Sequence, residues 1–164
     1  MLCLVKGNVD RQSIMLKKIC LLLIGMSLST LLLAQQALTK EQQEVQQTII
    51  NFFECLSNRD SVGLKSYSTT DVTLFEYGQI WNLDTLIRKA IRLNTADDYK
   101  RVNSFKFINT SADNNTAWAT YNLISEITRA GKQTSVHWLE SVILVREKKK
   151  WKLKALHSTM IKRT

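Results

Sequence analysis

The chain has 164 residues, of which 45% are apolar and 23% are charged, and its formal net charge is +9. This composition excludes an intrinsically disordered protein, which would have fewer apolar residues and a higher density of charge. The length indicates one domain, and the sequence has no proline and no low-complexity linker that would divide it.

The segment 1–34 has the order of residues that is typical of a secretory signal peptide. Two lysines precede an apolar run at 19–33, and Ala34 ends the run before two glutamines. The run is about fifteen residues long, whereas a helix that spans a bilayer needs about twenty, so an uncleaved anchor is the less favoured alternative. We expect cleavage near Ala34, with Met15 as an alternative start. The mature domain at 35–164 would then be periplasmic or secreted, without a stable membrane anchor.

Removal of this segment changes the charge and the cysteine content. Four positive charges and one negative charge would leave with it, so the net charge falls from +9 to +6. An exported basic protein meets anionic envelope surfaces or small acids, and we expect no nucleic-acid partner. Cys55 is the one cysteine of three that remains, so no intrachain disulfide can form. We assign this cysteine a packing role.

A capping box marks the start of the first predicted helix. Thr39 is followed three residues later by Gln42, and such a pair satisfies free backbone N–H groups at a helix N-terminus. Apolar residues recur behind it at helical spacing. They are Val45, Ile49, Phe52, Phe53 and Leu56. We therefore predict an amphipathic helix over residues 40–57.

Two shorter helices and a strand are predicted next. Asp60 is suited to cap a second short helix. After a polar break at 68–70, the β-branched and aromatic segment 72–77 indicates a strand that ends at Gly78. Asp84 is suited to cap a third helix, whose apolar residues share one face. These residues are Leu86, Ile87, Ala90 and Ile91.

From about residue 101 the apolar pattern changes from helical to alternating. It predicts four strands, near 101–111, 115–128, 134–147 and 150–161. The polar breaks between them are short, so consecutive strands are expected to form antiparallel hairpins. Helices followed by such a meander indicate an α+β fold. One curved antiparallel sheet, of four long strands and a short one, would carry about three N-terminal helices on a single side.

Alternation along the strands predicts a candidate pocket. His157 falls on the same side as Trp151 and Leu153, opposite a face of lysines, so it is predicted to point toward the core or a cavity. There it would be either a functional acid, base or ligand contact, or a structural histidine. Tyr121 is predicted to point inward beside small residues that leave room for a ligand. The mouth of the pocket is assigned to three aromatic residues, Tyr67, Tyr77 and Trp81.

The opposite faces of the two middle strands also carry apolar side chains. On the first of these strands they are Trp118 and Ile124, and on the next they are Val136, Trp138 and Val142. A large exposed apolar patch normally covers a partner surface, so we predict a homodimer through this outer face. The same alternation assigns Glu126 and Glu140 to the outer face, which leaves no inward acid on the late strands.

Several segments of the chain together resemble the SnoaL-like, nuclear transport factor 2-like family. They are 58–67, 71–75 with Tyr77-Gly78, and Trp151-Lys152-Leu153 with His157. The resemblance covers residues 40–162 and implies a cone-shaped α+β fold. In that fold the helices pack on the concave side of the sheet, a pocket lies between them, and dimers are frequent. Members include isomerases, dehydratases, polyketide cyclases and noncatalytic binding modules, so the fold alone does not identify a chemistry.

Three functions are compatible with this resemblance. Enzymes of the family typically need an inward carboxylate or a His–Asp pair, which can move a proton when its pKa is tuned. Because no inward acid is predicted on the late strands, the leading hypothesis is a domain that binds a small apolar or acidic molecule. One alternative is an isomerase or dehydratase, in which His157 shuttles a proton with Asp71 or Tyr121 as helper. The other is a dimeric interaction module that uses the outer face of the sheet.

No metal or cofactor is predicted. His137 and His157 stand twenty residues apart in the sequence, without cysteine or carboxylate neighbours at the spacing of metal ligands. The sequence also has neither a glycine loop that would bind phosphate nor a serine nucleophile elbow.

Overall fold

Helix α1 extends from Lys40 to Ser57, as predicted, and begins with the predicted capping box. Thr39 Oγ1 accepts a hydrogen bond from the Gln42 N–H at 3.2 Å, and Gln42 Oε1 accepts one from the Thr39 N–H at 2.9 Å. The helix buries its apolar stripe in the core, where Val45, Ile49 and Phe52 have no exposed surface. The capping box and the apolar stripe, both recognisable in the sequence, therefore predicted the helix and its bounds correctly.

The computed structural model describes residues 37–164, and the predicted signal peptide at 1–34 lies outside them. The described part forms one compact unit from Leu38 to Thr164. No helix in this part of the chain is long and apolar enough to cross a membrane.

Helix α2, Ser61–Ser66, is capped by Asp60, whose carboxylate accepts hydrogen bonds from the backbone N–H groups of two residues in the first turn. Strand β1 follows at once, at Ser68–Glu76, and therefore includes the predicted polar break at 68–70. Pairing explains the difference, because Ser68 lies opposite Leu153 in a parallel ladder with the last strand. Its hydroxyl donates to the Leu64 carbonyl at 2.8 Å, so the polar side chain is satisfied although it is buried.

A short hairpin strand, β2 at Gln79–Trp81, was not predicted. It forms because Tyr77 and Gly78 both have positive φ, at 53° and 71°, which makes a tight two-residue turn. Helix α3, Leu83–Leu86, is capped by Asn82 rather than by Asp84. It continues as a π-helix over Ile87–Arg92.

The four predicted strands form, and none of their bounds differs from the prediction by more than two residues. They are β3 at Lys100–Ala112, β4 at Thr116–Arg129, β5 at Lys132–Glu147 and β6 at Lys150–Arg163. The sheet has the order β2-β1-β6-β5-β4-β3, in which only β1 and β6 are parallel. It is curved and does not close on itself, and the N-terminal helices pack against it, so the predicted α+β cone fold is confirmed.

A bulge in β6 reverses the predicted orientation of its second half. Leu144 pairs with Leu153, but the preceding residue Ile143 pairs with Ala155, so Lys154 is an extra residue in the ladder. Before the bulge Trp151 and Leu153 are buried, as predicted; after it Leu156 and Ser158 are buried instead. His157 is exposed on the outer face, so the prediction that it points inward is wrong.

The prediction of which side chains of β5 lie on the outer face of the sheet is also wrong. Val136, Trp138, Glu140 and Val142 are all buried, and Trp138 and Glu140 are only 9% and 3% exposed. Residues that pair directly point to the same side of a sheet, and Glu140 pairs with the inward Tyr121 of β4. The alternation was misassigned because both faces of β5 carry apolar residues. Trp118 and Ile124 do lie exposed on the outer face, as predicted.

Candidate functional site

A cavity of about 270 Å³ lies between the sheet, the second half of α1 and the segments that follow β1. Its wall combines apolar side chains with four ionisable groups. The apolar and aromatic residues are Phe53, Leu56, Tyr77, Trp81, Leu86, Ala90 and Trp138, and the charged ones are Glu76, Lys89, Arg101 and Glu140. Two carboxyl groups inside an apolar cavity are unusual, because burial disfavours their charged form.

Ser158 connects these two carboxyl groups. Its Oγ lies 2.7 Å from Oε1 of Glu76 and 3.1 Å from Oε1 of Glu140. A serine hydroxyl has only one hydrogen to donate. Both contacts are hydrogen bonds at the same time if one carboxyl group is protonated and donates to Ser158 Oγ, or if the serine hydrogen is shared between the two carboxyl oxygens. The geometry therefore fits a pair of carboxyl groups that shares one proton through the serine.

The pKa of Glu140 is raised from 4.5 to about 7. Burial is the largest cause, since Glu140 is only 3% exposed, and the negative charge of Glu76 adds to it. The pKa of Glu76 is also raised, again mainly by burial, while the hydrogen bond from Ser158 opposes the rise. Two carboxyl groups that interact in this way titrate as a pair. Near neutral pH the pair can both accept and release a proton.

Tyr121 lies behind Glu140, fully buried on the neighbouring strand. Its hydroxyl and Oε2 of Glu140 both lack a hydrogen-bond partner among the described protein groups. The phenol is close enough to offset part of the rise in the Glu140 pKa, although the two groups stand outside hydrogen-bond geometry. Burial, with the Glu140 charge, raises the pKa of Tyr121 well above 10, so this phenol stays protonated as a potential donor.

Arg101 supplies a fixed positive charge beside the carboxyl pair. Its Nε donates to Asn103 Oδ1 at 2.9 Å, and its Nη2 donates to Ser125 Oγ at 3.0 Å. The guanidinium lowers the pKa of both Glu76 and Glu140 and so opposes the effect of burial. Its remaining N–H groups are available to a negatively charged oxygen in the cavity.

Aromatic rings form the mouth of the cavity. The Tyr77 ring is 5.4 Å from that of Trp138 and 6.0 Å from that of Trp81, measured between centroids. Lys89 Nζ lies 4.3 Å from the centre of the Trp81 ring. Lys89 and Ala90 come from the π-helix, and such helical irregularities are frequent at functional sites.

The structure brings only part of the predicted site together. Tyr77 and Trp81 are in the cavity wall, whereas Tyr121 is fully buried opposite Glu140 on the neighbouring strand and does not line the cavity. Tyr67 lines a separate surface cavity next to Trp151. His157 packs its ring edge-on against Phe75 outside the cavity.

Asp71 does not reach the cavity either. It is exposed on β1 and forms an ion pair with Lys154, the bulge residue of β6. The hydrogen bond from Lys154 lowers the pKa of Asp71. Neither His157 nor Asp71 is therefore placed to exchange a proton with a molecule in the cavity.

Sequence reasoning missed Glu76, Arg101, Glu140 and Ser158. One signal would have found Glu140. The two-residue turn Ala130-Gly131 pairs Arg129 with Lys132, and counting back from that pair places Glu140 opposite Tyr121.

Within residues 37–164, no group of three or more histidine, cysteine, aspartate or glutamate side chains is arranged to hold a metal ion. The carboxyl pair can accept and release a proton, and the Arg101 guanidinium can donate hydrogen bonds to a negatively charged oxygen.

A family model described as a SnoaL-like domain matches residues 45–162, which is more than half of the chain. No protein with a curated description matches the sequence.

Solved structures reproduce the fold at low sequence identity. A conserved protein from Planctomyces limnophilus is 15% identical with a TM-score of 0.66, and the alignment covers 74% of this chain and 98% of that one. A CamKII hub homology domain from Chlamydomonas reinhardtii is 14% identical with a TM-score of 0.64, over 76% and 100% of the two chains. A ketosteroid isomerase-like protein from Erwinia carotovora is 13% identical with a TM-score of 0.62, over 76% and 99%. At such identities the likeness shows the fold alone.

Proposed function

The chain belongs to the SnoaL-like domain family of the nuclear transport factor 2-like superfamily. We propose that it binds a small, mainly apolar molecule and moves a proton from one atom of that molecule to another. The observation that carries the proposal is Glu140. This carboxyl group is buried in the wall of a cavity of about 270 Å³ and has a pKa of about 7. A base with a pKa near the working pH is the most effective proton-transfer group.

The proposed step begins with a molecule that carries a carbonyl group. The ionised Glu140 carboxylate removes a proton from the carbon next to the carbonyl; the electrons of the C–H bond form a C=C bond to the carbonyl carbon, and the C=O electrons move to the oxygen. If the substrate has a C=C bond one carbon further along, the protonated Glu140 returns the proton to the far carbon of that bond, the C=C bond moves next to the carbonyl and the C=O bond reforms, which is an isomerisation. If the next carbon instead carries a hydroxyl, the C=O bond reforms, and the hydroxyl leaves with its bonding electrons and takes the proton from Glu140 as water, which is a dehydration.

The charged groups of the cavity favour this step. Arg101 offers free N–H groups to the oxygen that gains negative charge, and such donors stabilise it most strongly in a water-poor site. Ser158 can relay the proton from Glu140 to an ionised Glu76, because its Oγ lies within 3.1 Å of a carboxyl oxygen of each: the hydroxyl accepts one proton as it donates its own. The apolar wall limits access of water to the charge.

Deuterium exchange tests the proposal without knowledge of the natural substrate. The wild-type domain is incubated in D₂O with a panel of small apolar ketones, and the products are analysed by mass spectrometry. We expect deuterium at the carbon next to the carbonyl, at a rate that rises through a pH near 7 as Glu140 ionises. Ketones that raise the melting temperature but never exchange would show a binding domain and contradict proton transfer.

Export is part of the same proposal. It is supported by the basic start and apolar run of residues 1–34 and by the beginning of α1 at Lys40, a few residues after the expected cleavage. The intact mass of the protein purified from the extracytoplasmic fraction should correspond to a chain that begins near Gln35. A mass that includes residues 15–34 would contradict cleavage.

A homodimer through the outer face of the sheet is a second proposal. Trp118, Ile124, Leu139 and Ile143 are between 41% and 48% exposed on adjacent strands, and Trp118 pairs directly with Ile143. Exposed apolar surface of this kind is typical of protein interfaces. The two patches of a symmetric dimer would meet face to face, which would cover the apolar side chains of both.

Sedimentation velocity tests this interface. The wild-type domain should sediment as a dimer, and Ile143→Glu should weaken association by about 100-fold or more, since a buried unpaired charge costs several kcal/mol. Val62→Glu, at a site 76% exposed on α2, is the matched control and should leave the dimer intact. A wild-type protein that stays monomeric at high concentration would contradict the proposal.

A further inference from the structure

Next to the cavity lies a second hollow, of about 230 Å³, whose wall is rich in cationic side chains. We call it the cationic vestibule and define it by Lys89, Arg101, Arg129, Lys132 and Arg163. These residues come from the π-helix and from the ends of four strands that meet at one rim of the sheet. No carboxylate lines it, and none of the five cations forms an ion pair with another residue in 37–164.

Asp98, an acid next to the turn between Arg129 and Lys132, has another role. Asp98 accepts hydrogen bonds from the backbone N–H groups of Ala130 and Gly131, each at 2.7 Å. Both carboxylate oxygens are used in this way, and the two N–H groups lower the pKa of Asp98. Asp98 therefore stabilises the turn between Arg129 and Lys132. It forms no ion pair with either of them.

The vestibule and the cavity are adjacent and share part of their walls. Lys89, Ala90 and Arg101 line both of them. Arg101 and Arg163 also act on the cavity residue Tyr77, because both lower its pKa against the rise that burial causes. A negatively charged group of a molecule in the cavity would therefore be attracted by these cations.

A buried polar group also faces the vestibule. Asn94 lines it with only 7% of its surface exposed, and its Oδ1 has no hydrogen-bond partner among the described residues. A buried amide oxygen without a partner is costly. An ionised carboxylate only accepts hydrogen bonds and cannot remove that cost, whereas the P–OH of a phosphate monoanion, or a hydroxyl next to the anionic group, can donate to it.

We propose that the cationic vestibule binds the anionic group of the cavity's ligand, so that this ligand is an amphipathic acid with an apolar body in the cavity and a carboxylate or phosphate in the vestibule. This proposal rests on the proposed function, because the same small molecule must occupy the cavity and reach into the vestibule. Arginine and lysine are the side chains that recognise carboxylate and phosphate oxygens, and here several of them converge on one hollow.

Equilibrium binding of unreactive acids tests this inference separately from catalysis. Tryptophan fluorescence reports binding, because Trp81 and Trp138 line the cavity. The probes are 4-phenylbutyrate, its neutral amide, phenyl phosphate and inorganic phosphate. We expect the acid to bind about tenfold more tightly than the amide, as hydrogen bonds to a charged group imply. Comparison of 4-phenylbutyrate with phenyl phosphate distinguishes a carboxylate from a phosphate ligand.

A matched pair of triple variants locates the effect. Arg129→Gln, Lys132→Gln and Arg163→Gln together should abolish the preference for the acid. The control changes three exposed lysines elsewhere, Lys65→Gln, Lys106→Gln and Lys148→Gln, which alters the net charge equally and should keep the preference.

Two results would overturn the inference: equal binding of acid and amide to the wild-type domain, or an unchanged preference for the acid in the vestibule variant. Failure of proton transfer is a different result. If acids bind preferentially but no ketone exchanges deuterium, anion binding by the vestibule is supported and proton transfer is contradicted. If ketones exchange deuterium but acids bind no better than amides, proton transfer is supported and anion binding is contradicted.

Discussion

Replacing Glu140 by glutamine should reduce deuterium exchange in the ketone panel by about 10²- to 10⁴-fold, which is the usual contribution of a general base. Glutamine has nearly the same shape as glutamate and keeps an oxygen toward Ser158, but it cannot accept a proton at neutral pH. The cavity should therefore persist while the reaction is lost. The exchange rate of the Glu140→Gln variant, measured by mass spectrometry on the same ketones, checks this prediction.

Glu126→Gln is the control for this experiment. Glu126 lies on β4 of the same sheet but is exposed on the outer face, where it accepts a hydrogen bond from Ser135. The exchange rate of this variant should match that of the wild type. If Glu140→Gln exchanged as fast as the wild type, Glu140 would not be the base.

The stability of the wild-type domain should fall by about 3 kcal/mol as the pH rises from 4.5 to above 7. The carboxyl group of Glu140 has a pKa of about 7 in the folded chain and 4.5 when it is free of the fold, so between these values the folded state binds more protons than the unfolded state. Stability therefore decreases with pH in this window, by about 1.36 kcal/mol for each unit of pKa difference. The raised pKa of Glu76 acts in the same direction.

Urea denaturation at pH 5 and pH 8 measures this change. Glu140→Gln removes the titrating group, so the variant should lose most of the pH dependence and should exceed the wild type in stability at pH 8. Glu126→Gln should keep the slope of the wild type. If the free energy of unfolding of the wild-type domain increased between pH 5 and pH 8, the change would be opposite to the expected one and would contradict the raised pKa of Glu140.

The helices and strands were predictable because their signals are local. The capping box at Thr39 and the apolar stripe behind it identify α1, and the turn residues between the late strands identify the meander. Strand β2 was missed because it has only three residues and depends on the tight turn at Tyr77 and Gly78. The start of β1 was missed because Ser68 belongs to the sheet through its pairing with Leu153, which is far away in the sequence.

The orientation of side chains in the sheet was less predictable than the strands. Without a bulge, counting from the Lys148-Lys149 turn would place His157 opposite Glu140, and both would point inward. The extra residue Lys154 moves Ser158 into that position and turns His157 outward. No pattern in the sequence of β6 distinguishes these two registers, because apolar residues occur in both alternations.

The carboxyl pair illustrates the same limit for function. Glu76 and Glu140 lie far apart in the sequence, and they meet only because the central strand β6 carries Ser158 between them. A search for inward acids on single strands could not find this arrangement. The burial that gives Glu140 its raised pKa is likewise a property of the assembled sheet and helices.

The most direct test of the central claim is the pKa of Glu140 itself. The side-chain carboxyl carbon is labelled with ¹³C and titrated by NMR in the wild-type domain, with Glu140→Gln identifying the resonance. We expect a midpoint of about 7, with a second transition from Glu76 that is coupled to it. A midpoint near 4.5 would mean that Glu140 is an ordinary solvated carboxylate, and it would contradict the proposed proton transfer.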